Sequence, residues 1–243
     1  MSSLNLVQLS VSLPRITSFY GRIWPRNAPG CSDEKFILKT ALTEVLVGDA
    51  KLRPWRIQHA SPDGTLMVLG YSHRDAAKVK TLIADGLPEL ANAFDAESVF
   101  SRPIRQFAEG ERLQVQARVC ATKQVRTGPT QRKELDAWAA DTRLREKAGQ
   151  PARSREEAYE AYLADAILPG AAILNSRIVG FAINAFARKD ANGIPSLSTK
   201  HPVVEFDAIC EVTDSQEFAR LLAIGIGRSR AYGCGMLLIR AAA

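Results

Sequence analysis

Cysteine and histidine are scarce in this sequence. The four cysteines include no Cys-x-x-Cys pair, and none of the three histidines stands at the spacing of a zinc ligand. This pattern excludes a disulfide scaffold and gives a metal site no support. No histidine accompanies a Gly-x-Ser-x-Gly nucleophile motif, so a Ser-His-Asp hydrolase also has little support. The residues concerned are Cys31, Cys120, Cys210, Cys234, His59, His73 and His201.

Long apolar runs are also absent. No segment approaches the roughly 18 consecutive apolar residues that a membrane helix needs. The N-terminal stretch MSSLNLVQLSVSLPR lacks the basic start and the unbroken apolar run of a signal peptide. We therefore expect a cytoplasmic protein with no membrane partner. With 46% hydrophobic and 24% charged residues, the 243-residue chain has the composition of one large folded domain or two ordinary ones.

The first 104 residues alternate between strand and helix patterns. Alternation of apolar and polar residues predicts strands, and apolar residues at helical spacing predict helices. The run Ser61-Pro62-Asp63-Gly64 predicts a turn between two short strands. The predicted order is strand 4–13, helix 33–47, strands 55–58 and 65–71, helix 74–84 and strand 99–104.

The second half of the chain repeats this order of elements. Its predicted elements are strand 113–125, helices 130–148 and 154–167, strands 173–187 and 203–212, helix 215–224 and strand 236–239. Two β-α-β-β-α-β units in series are the pattern of two tandem ferredoxin-like domains. We therefore predict an α+β fold with domains at 1–104 and 105–243. The second domain is expected to carry a helical insertion at about 129–168 and a glycine-rich loop at 225–235.

Positive charge is concentrated in one segment of the second predicted domain. Residues 112–155 contain 11 basic and 4 acidic residues, a net charge of +7, whereas the whole chain carries +6 and the remainder therefore −1. A solvated helical hairpin is one explanation of such a segment. A surface that contacts phosphates is the other explanation. So uneven a distribution favours a nucleic acid as the partner.

The loop near the C-terminus combines glycines with arginines and reads GIGRSRAYGCG over residues 225–235. A dinucleotide-binding fingerprint would need a glycine where Arg230 stands and would follow a strand, and the lysine of a P-loop is missing. A tight connection between a helix and a strand explains two glycines but not four glycines with two arginines. We therefore expect this backbone, with Arg228 and Arg230, to lie against phosphates, because glycine adds no side-chain bulk.

The same loop resembles the C-terminal glycine-rich signature of the CRISPR-associated RNA-processing proteins with tandem ferredoxin-like domains, in particular the CasE subgroup. Gln116–Val125 is similar to the strand that carries a lysine before a repeat-binding segment in that family, and Lys123 is the matching lysine. Phe19–Trp24, which the resemblance places at the start of the first domain's helix, is a third similarity to the family. The order of the elements extends the resemblance over most of the chain.

The resemblance implies a metal-independent endoribonuclease that needs no cofactor. Proteins of this family bind the stem-loop of a CRISPR repeat transcript and cleave at the 3′ base of the stem. A 2′-hydroxyl attacks the adjacent phosphate and leaves a 2′,3′-cyclic phosphate. The protein commonly stays on its product and enters an effector complex, so the resemblance implies guide RNA and other complex subunits as partners.

The sequence departs from the CasE pattern at the position of the family's histidine. Tyr20 stands there, and no histidine lies within 30 residues of it. The predicted hairpin is also longer than expected for CasE, which makes the processing protein of type IV CRISPR systems an alternative relative. We assign Arg22 and Arg26 to stabilising the phosphorane and Tyr20 to positioning or protonating an oxygen. Core packing of Tyr20 on a helix face is the alternative, and His59 and His73 are the reserve bases.

The RNA-binding residues are predicted on the basic segment and on the glycine loop. They are Lys123, Arg126, Arg132, Lys133, Arg155, Gly225, Gly227, Arg228, Arg230 and Gly233. Side chains cannot enter the deep, narrow major groove of A-form RNA, so we expect recognition of backbone shape, with the helical hairpin against the stem. Two other functions stay open. One is a non-catalytic RNA-binding subunit, and the other is a small-molecule-binding ferredoxin-like dimer that uses the basic hairpin for assembly.

Overall fold

The chain forms two compact units, each with a four-stranded sheet. The structure is a computed structural model, and it describes residues 4–24, 33–126, 131–189 and 194–241. The first unit takes up two segments that lie beyond the predicted boundary after residue 104, and that boundary stays a prediction. The units are Met1–Arg105, Ala185–Thr199 and Arg230–Met236 for the first, and Gln106–Asn184, Lys200–Ser229 and Leu237–Ala243 for the second.

The first unit has the predicted βαββαβ order. Its elements are β1 (Asn5–Ser12), α1 (Leu13–Ile23), α2 (Glu34–Val45), β2 (Trp55–Ala60), β3 (Thr65–Ser72), α3 (Ala76–Ala84), α4 (Pro88–Ala91) and β4 (Phe94–Pro103). The strand order is β2-β3-β1-β4, and each neighbouring pair is antiparallel. This is the order of a ferredoxin-like sheet, in which β1 and β3 lie in the centre and β2 and β4 lie at the edges.

One face of β1 forms the centre of the first core. Val7, Leu9 and Val11 are fully buried, because alternate side chains of a strand point to the same face. Leu4 and Leu6 are only half-buried, on the opposite phase of the alternation. The predicted strand is therefore present, and its buried face is set by the residues at 7, 9 and 11.

The segment Phe19–Trp24 belongs to a helix of its own. The resemblance places it at the start of the first domain's helix, whereas in the structure it lies at the C-terminal end of α1. There the backbone N–H of Trp24 donates to the carbonyl of Tyr20. Helix α2 starts separately because the carboxylate of Asp33 accepts hydrogen bonds from two backbone N–H groups of its first turn. Residues 25–32, which include Arg26, lie outside the described part of the chain.

The second unit repeats the topology of the first. Its elements are β5 (Arg112–Cys120), β6 (Thr122–Arg126), β7 (Arg132–Asp136), α5 (Ala137–Lys147), α6 (Arg155–Ile167), β8 (Ala171–Lys189), β9 (Pro195–Val212), α7 (Ser215–Ile224) and β10 (Leu237–Ala241). The order of its sheet is β10-β5-β9-β8, and β6 and β7 form a separate two-stranded sheet. The α+β fold with two tandem ferredoxin-like units is thus confirmed.

The insertion in the second unit begins with two strands instead of a helix. The helix predicted over 130–148 starts only at Ala137, because the preceding residues pair with β6 as strand β7. Asp136 then caps α5 by accepting a hydrogen bond from the backbone N–H of Trp138 at 2.9 Å. The strand predicted over 113–125 is likewise divided after Cys120. Residues 127–130 lie outside the described part of the chain.

The other helices of the second unit begin where the sequence predicts. Ser154 and Glu157 form a capping box at the start of α6. The carboxylate of Asp214 accepts two backbone hydrogen bonds at 2.9 Å and caps α7. None of the helices that the described residues form is long and apolar enough to cross a membrane.

Candidate nucleic-acid interface

The β6–β7 hairpin places like charges directly opposite each other. Arg126 pairs in register with Arg132, and both side chains are exposed. Opposite residues of an antiparallel pair point to the same face, and like charges in such positions are unfavourable unless a counter-charge lies with them. Lys133, the next residue on β7, is exposed on the other face. The end of the hairpin is therefore cationic on both faces.

A cavity of about 420 Å³ lies between the end of β6 and helix α5. Its lining carries three cations, Arg126, Arg143 and Lys147, against one carboxylate, Glu146. Leu144 adds an apolar wall and is 56% exposed. The cavity places Arg126 of the hairpin beside Arg143 and Lys147 of the helix. We call the cationic end of the hairpin together with this side of α5 the hairpin–helix surface, and it comprises Arg126, Arg132, Lys133, Arg143 and Lys147.

Lys123 is held by helix α6. Its ammonium group donates to the carboxylate of Asp165 at 3.0 Å and lies 5.9 Å from the centre of the Tyr162 ring. A phosphate contact by Lys123 would therefore require exchange of this partner. Exchange costs little, because exposed ion pairs are worth about 0–1 kcal/mol and Asp165 is 67% exposed.

Arg228, in the glycine loop, is anchored by Glu134 on β7. The guanidinium Nε of Arg228 lies 3.2 Å from Glu134 Oε1, and the same oxygen accepts a hydrogen bond from the Thr122 hydroxyl at 2.7 Å. The buried His201 places its Nδ1 3.8 Å from this oxygen. Neither Glu134 nor His201 is predictable at this place from the sequence, since Glu134 is one of four acids in the basic segment and His201 is an isolated histidine. Only the fold brings them together.

Three glycines of the loop have structural roles. Gly225 follows the last residue of α7, and its N–H continues the hydrogen-bonding pattern of that helix. Gly227 has φ of +66°, and a Cβ there would lie 2.8 Å from the Tyr162 hydroxyl oxygen. Gly233 has φ of +77°, and a Cβ there would lie 3.0 Å from the Trp55 ring. Gly225 and Gly227 belong to the second unit and Gly233 to the first, and their contact with RNA stays a prediction.

Replacing Gly227 by alanine should destabilise the protein more than the same change at Gly149. Both glycines have φ of +66°, but a new methyl group would have neighbours within 4 Å only at 227, where the Tyr162 hydroxyl oxygen is the nearest of them at 2.8 Å. Backbone strain of about 1–2 kcal/mol is common to both variants, and overpacking adds about 1–3 kcal/mol at Gly227 alone. Urea unfolding of the two variants measures the difference in their free energies of unfolding.

The Tyr162→Phe background provides the control for this pair. Removing the hydroxyl should shrink the difference between the Gly227→Ala and Gly149→Ala variants, because the clashing atom is gone. Equal losses of stability for the two glycine variants in the unmodified background would contradict the packing role of Gly227.

Arg155 lies beside aromatic rings. Its guanidinium carbon is 4.5 Å from the centre of the Trp138 ring and 6.0 Å from that of Phe181, which is the geometry of a cation–π contact with Trp138. Tyr159 stacks on Phe181 at 5.9 Å and donates its hydroxyl hydrogen to Asp136. Arg155 thus helps to join α5, α6 and β8, and its predicted RNA contact stays a prediction.

Tyr20 is buried in the core of the first unit. Its ring stacks on Trp24 with centroids 4.3 Å apart, and its hydroxyl donates to Glu44 at 2.7 Å. Burial, followed by this hydrogen bond, raises the pKa of Tyr20 well above its ordinary value. The hydroxyl therefore keeps its proton at neutral pH and does not act as a base. This placement favours the packing alternative, and a catalytic role of Tyr20 stays a prediction.

Arg22 is exposed, unlike Tyr20. Two positions apart on α1, the two side chains point in different directions. The Arg22 side chain is 60% exposed, and its Nη2 lies 2.8 Å from the Glu89 carboxylate. An incoming phosphate can displace Glu89, since such exposed pairs contribute about 0–1 kcal/mol. The reserve bases His59, on β2, and His73, just after β3, are exposed as well.

Buried thiols and metal-ligating groups do not assemble into a site in the described residues. Cys120, Cys210 and Cys234 are buried and form no disulfide, and burial is the main cause that raises the pKa of the Cys120 thiol. Among the described residues, no group of three or more His, Cys, Asp and Glu side chains is placed to hold a metal ion. Cys31 lies outside them.

The fold and the surface together define a protein of two ferredoxin-like units with a cationic hairpin and helices inserted in the second. A family model described as CRISPR associated protein matches residues 40–241. The chain therefore belongs to this family, which confirms the resemblance carried by the glycine loop. No curated protein matches the sequence.

Several solved structures share the whole fold at low sequence identity. Thermus thermophilus Cse3, bound to an RNA representing a pre-cleavage complex, is 15% identical with a TM-score of 0.63 over 98% of this chain and 99% of that chain. Cas6e from Escherichia coli str. K-12 is 15% identical with a TM-score of 0.56 over 98% and 100% of the two chains. A chain of a CRISPR RNA-guided surveillance complex is 17% identical with a TM-score of 0.51 over 98% and 100%. At such identities the similarity shows the fold.

Proposed function

We propose that this protein binds CRISPR repeat RNA and cleaves the precursor transcript at the 3′ base of the repeat stem. Membership of the CRISPR associated family supports the proposal. The observation that carries it is the pairing of Arg126 with Arg132 at the exposed end of the hairpin. The RNA bound to the similar Cse3 and the surveillance complex that holds another similar chain point in the same direction.

The hairpin–helix surface suits a ribose-phosphate backbone. Guanidinium groups bind phosphate oxygens in pairs and at fixed geometry, which makes arginine better suited than lysine to phosphate recognition. A phosphate between Arg126 and Arg132 would be attracted by both guanidinium groups. Arg143 and Lys147 extend the positive charge along α5, in line with a strand of RNA rather than with a single small anion.

Cleavage in this proposal is an internal transfer. The 2′-oxygen forms a bond to the adjacent phosphorus, the bond from phosphorus to the 5′-oxygen breaks, and the proton of the 2′-hydroxyl is lost while the leaving oxygen gains one. Arg22, and Arg26 from the predicted set, would stabilise the extra negative charge of the phosphorane. Tyr20 keeps its proton, and donation to an RNA oxygen would require its hydroxyl to exchange Glu44 for that oxygen. In-line positioning supplies much of the rate, and slow cleavage is enough if the protein keeps its product.

Incubation with 5′-labelled repeat RNA in the presence of a chelator tests the proposal. We expect one discrete cut at the 3′ base of the stem, with a 2′,3′-cyclic phosphate on the upstream product. RNA with a 2′-deoxynucleotide at the cleaved position should bind equally well and stay intact, because the attacking hydroxyl is missing. Intact RNA in both reactions would contradict cleavage.

A non-catalytic RNA-binding subunit is the second candidate function. It is favoured by the burial of Tyr20 at the position where the family's histidine is expected, with its hydroxyl engaged by Glu44. This function predicts tight binding of both the natural and the 2′-deoxy RNA without cleavage of either. The same pair of reactions therefore separates the two functions.

A further inference from the structure

A small cavity in the first unit is lined by cations. It measures about 170 Å³ and lies between α2, the segment before β2 and the loop residue Ala231. Lys39, Lys51 and Arg53 contribute three positive charges, and the residues that line it, all within the described part of the chain, include no carboxylate. Such a lining leaves a strongly positive hollow that is too small for a peptide or a helix.

The wall of this cavity is formed in advance of any ligand. Trp55 is 2% exposed and donates its indole N–H to the carbonyl of Ala231 at 3.1 Å. Gly233 packs against the same ring. The half-buried Lys39 holds its ammonium group 5.1 Å from the centre of the Tyr232 ring. Groups that are fixed before binding lose less conformational freedom when the ligand arrives.

Arg230 adds a fourth cation near the cavity. Burial, and then the positive charge of Arg53, lower the pKa of the Arg230 guanidinium. Arg230 directly precedes Ala231, which lines the cavity, and a phosphoryl group matches the paired N–H donors of arginine.

We propose that this cavity binds one phosphate group, held by Lys39, Lys51 and Arg53 with Arg230 nearby. Its volume leaves room for a phosphate and a few waters of about 30 Å³ each. The phosphate belongs either to a single-stranded RNA that passes the cavity or to a free nucleotide. The RNA source rests on the proposed function, whereas the phosphate site itself does not.

Titration with inorganic phosphate at constant ionic strength tests the site without any RNA. The protein contains three tryptophans, Trp24, Trp55 and Trp138, whose indole N–H signals can be followed by NMR in the nitrogen-15-labelled full chain. We expect the Trp55 signal, assigned with the Trp55→Phe variant, to shift and saturate while the other two stay in place. A Trp55 signal that does not move, or that moves together with the others, would overturn the proposal.

Two pairs of substitutions make the titration specific. Lys51→Ala with Arg53→Ala removes two exposed cations of the lining, and the dissociation constant for phosphate should rise at least about tenfold. Lys78→Ala with Arg102→Ala removes the same charge from exposed positions on α3 and β4, and should leave the constant unchanged. Equal weakening by both pairs would mean that net charge, and not the cavity, attracts the phosphate.

Short ligands then identify the source of the phosphate. If single-stranded hexauridylate shifts the Trp55 signal and displaces phosphate, RNA is the source. If uridine 5′-monophosphate does so and hexauridylate does not, the site takes a free nucleotide and the RNA source is wrong. The phosphate titration uses no RNA, so its result does not depend on whether the protein binds or cleaves repeat RNA. Failure of the proposed function and failure of this site are therefore distinguishable.

Discussion

Replacing Arg22 by alanine should lower the rate of RNA cleavage by about 100-fold or more, because loss of one donor to a developing oxyanion costs about 10²–10³ in rate. Affinity for the repeat RNA should change by no more than about tenfold, since only one of several phosphate contacts is removed. Single-turnover cleavage at saturating protein measures the rate, and filter binding with 2′-deoxy RNA measures the affinity.

Three variants control the Arg22 experiment. Arg102→Ala removes an exposed arginine from β4 of the same unit and should leave the rate unchanged. Glu89→Gln removes the partner of Arg22 and should preserve cleavage, because the guanidinium then needs no exchange. Arg22→Lys keeps the charge but loses the paired donors, so an intermediate rate is expected. A normal rate in Arg22→Ala would show that this assignment is wrong.

Neutralising the tip of the hairpin should have the largest effect on RNA binding. In the variant with Arg126, Arg132 and Lys133 all changed to alanine, up to three RNA phosphates have no cation beside them, and we expect affinity at about 0.1 M salt to fall about 10²–10³-fold. The slope of log affinity against log salt concentration should also fall, by about 0.7–0.9 for each phosphate that the protein no longer neutralises. Filter binding over a range of potassium chloride concentrations gives both quantities.

A matched triple variant separates this effect from net charge. Lys78→Ala, Arg102→Ala and Arg220→Ala together remove the same charge from exposed positions and should change the affinity by less than about threefold. If both triple variants weakened RNA binding equally, the hairpin would have no special role.

Much of the fold follows from local patterns in the sequence. Strand β1 and helices α6 and α7 follow from the apolar pattern of a few neighbouring residues, and the structure has them close to the predicted ranges. Strand β7 does not follow in this way, because RKELD is charged and has no apolar alternation. Its strand conformation comes from pairing with β6, which no local pattern shows.

The candidate site was predictable in its chemistry but not in its arrangement. The excess of basic residues between 112 and 155 indicates a polyanion as partner wherever these residues lie in the fold. Which of them are exposed together depends on the register of the hairpin, which sets Arg126 against Arg132. The contact of Arg228 with Glu134 joins residues far apart in the chain. Lys51 and Arg53 look like ordinary surface charges until the cavity is seen.

The structure of the protein with repeat RNA that carries a 2′-deoxynucleotide at the cleaved position tests the central claim most directly. The account predicts phosphate oxygens at hydrogen-bonding distance, about 3 Å, from Arg126, Arg132 and Lys133, with the stem along the hairpin–helix surface. RNA bound elsewhere on the protein, with these three side chains left in solvent, would contradict it.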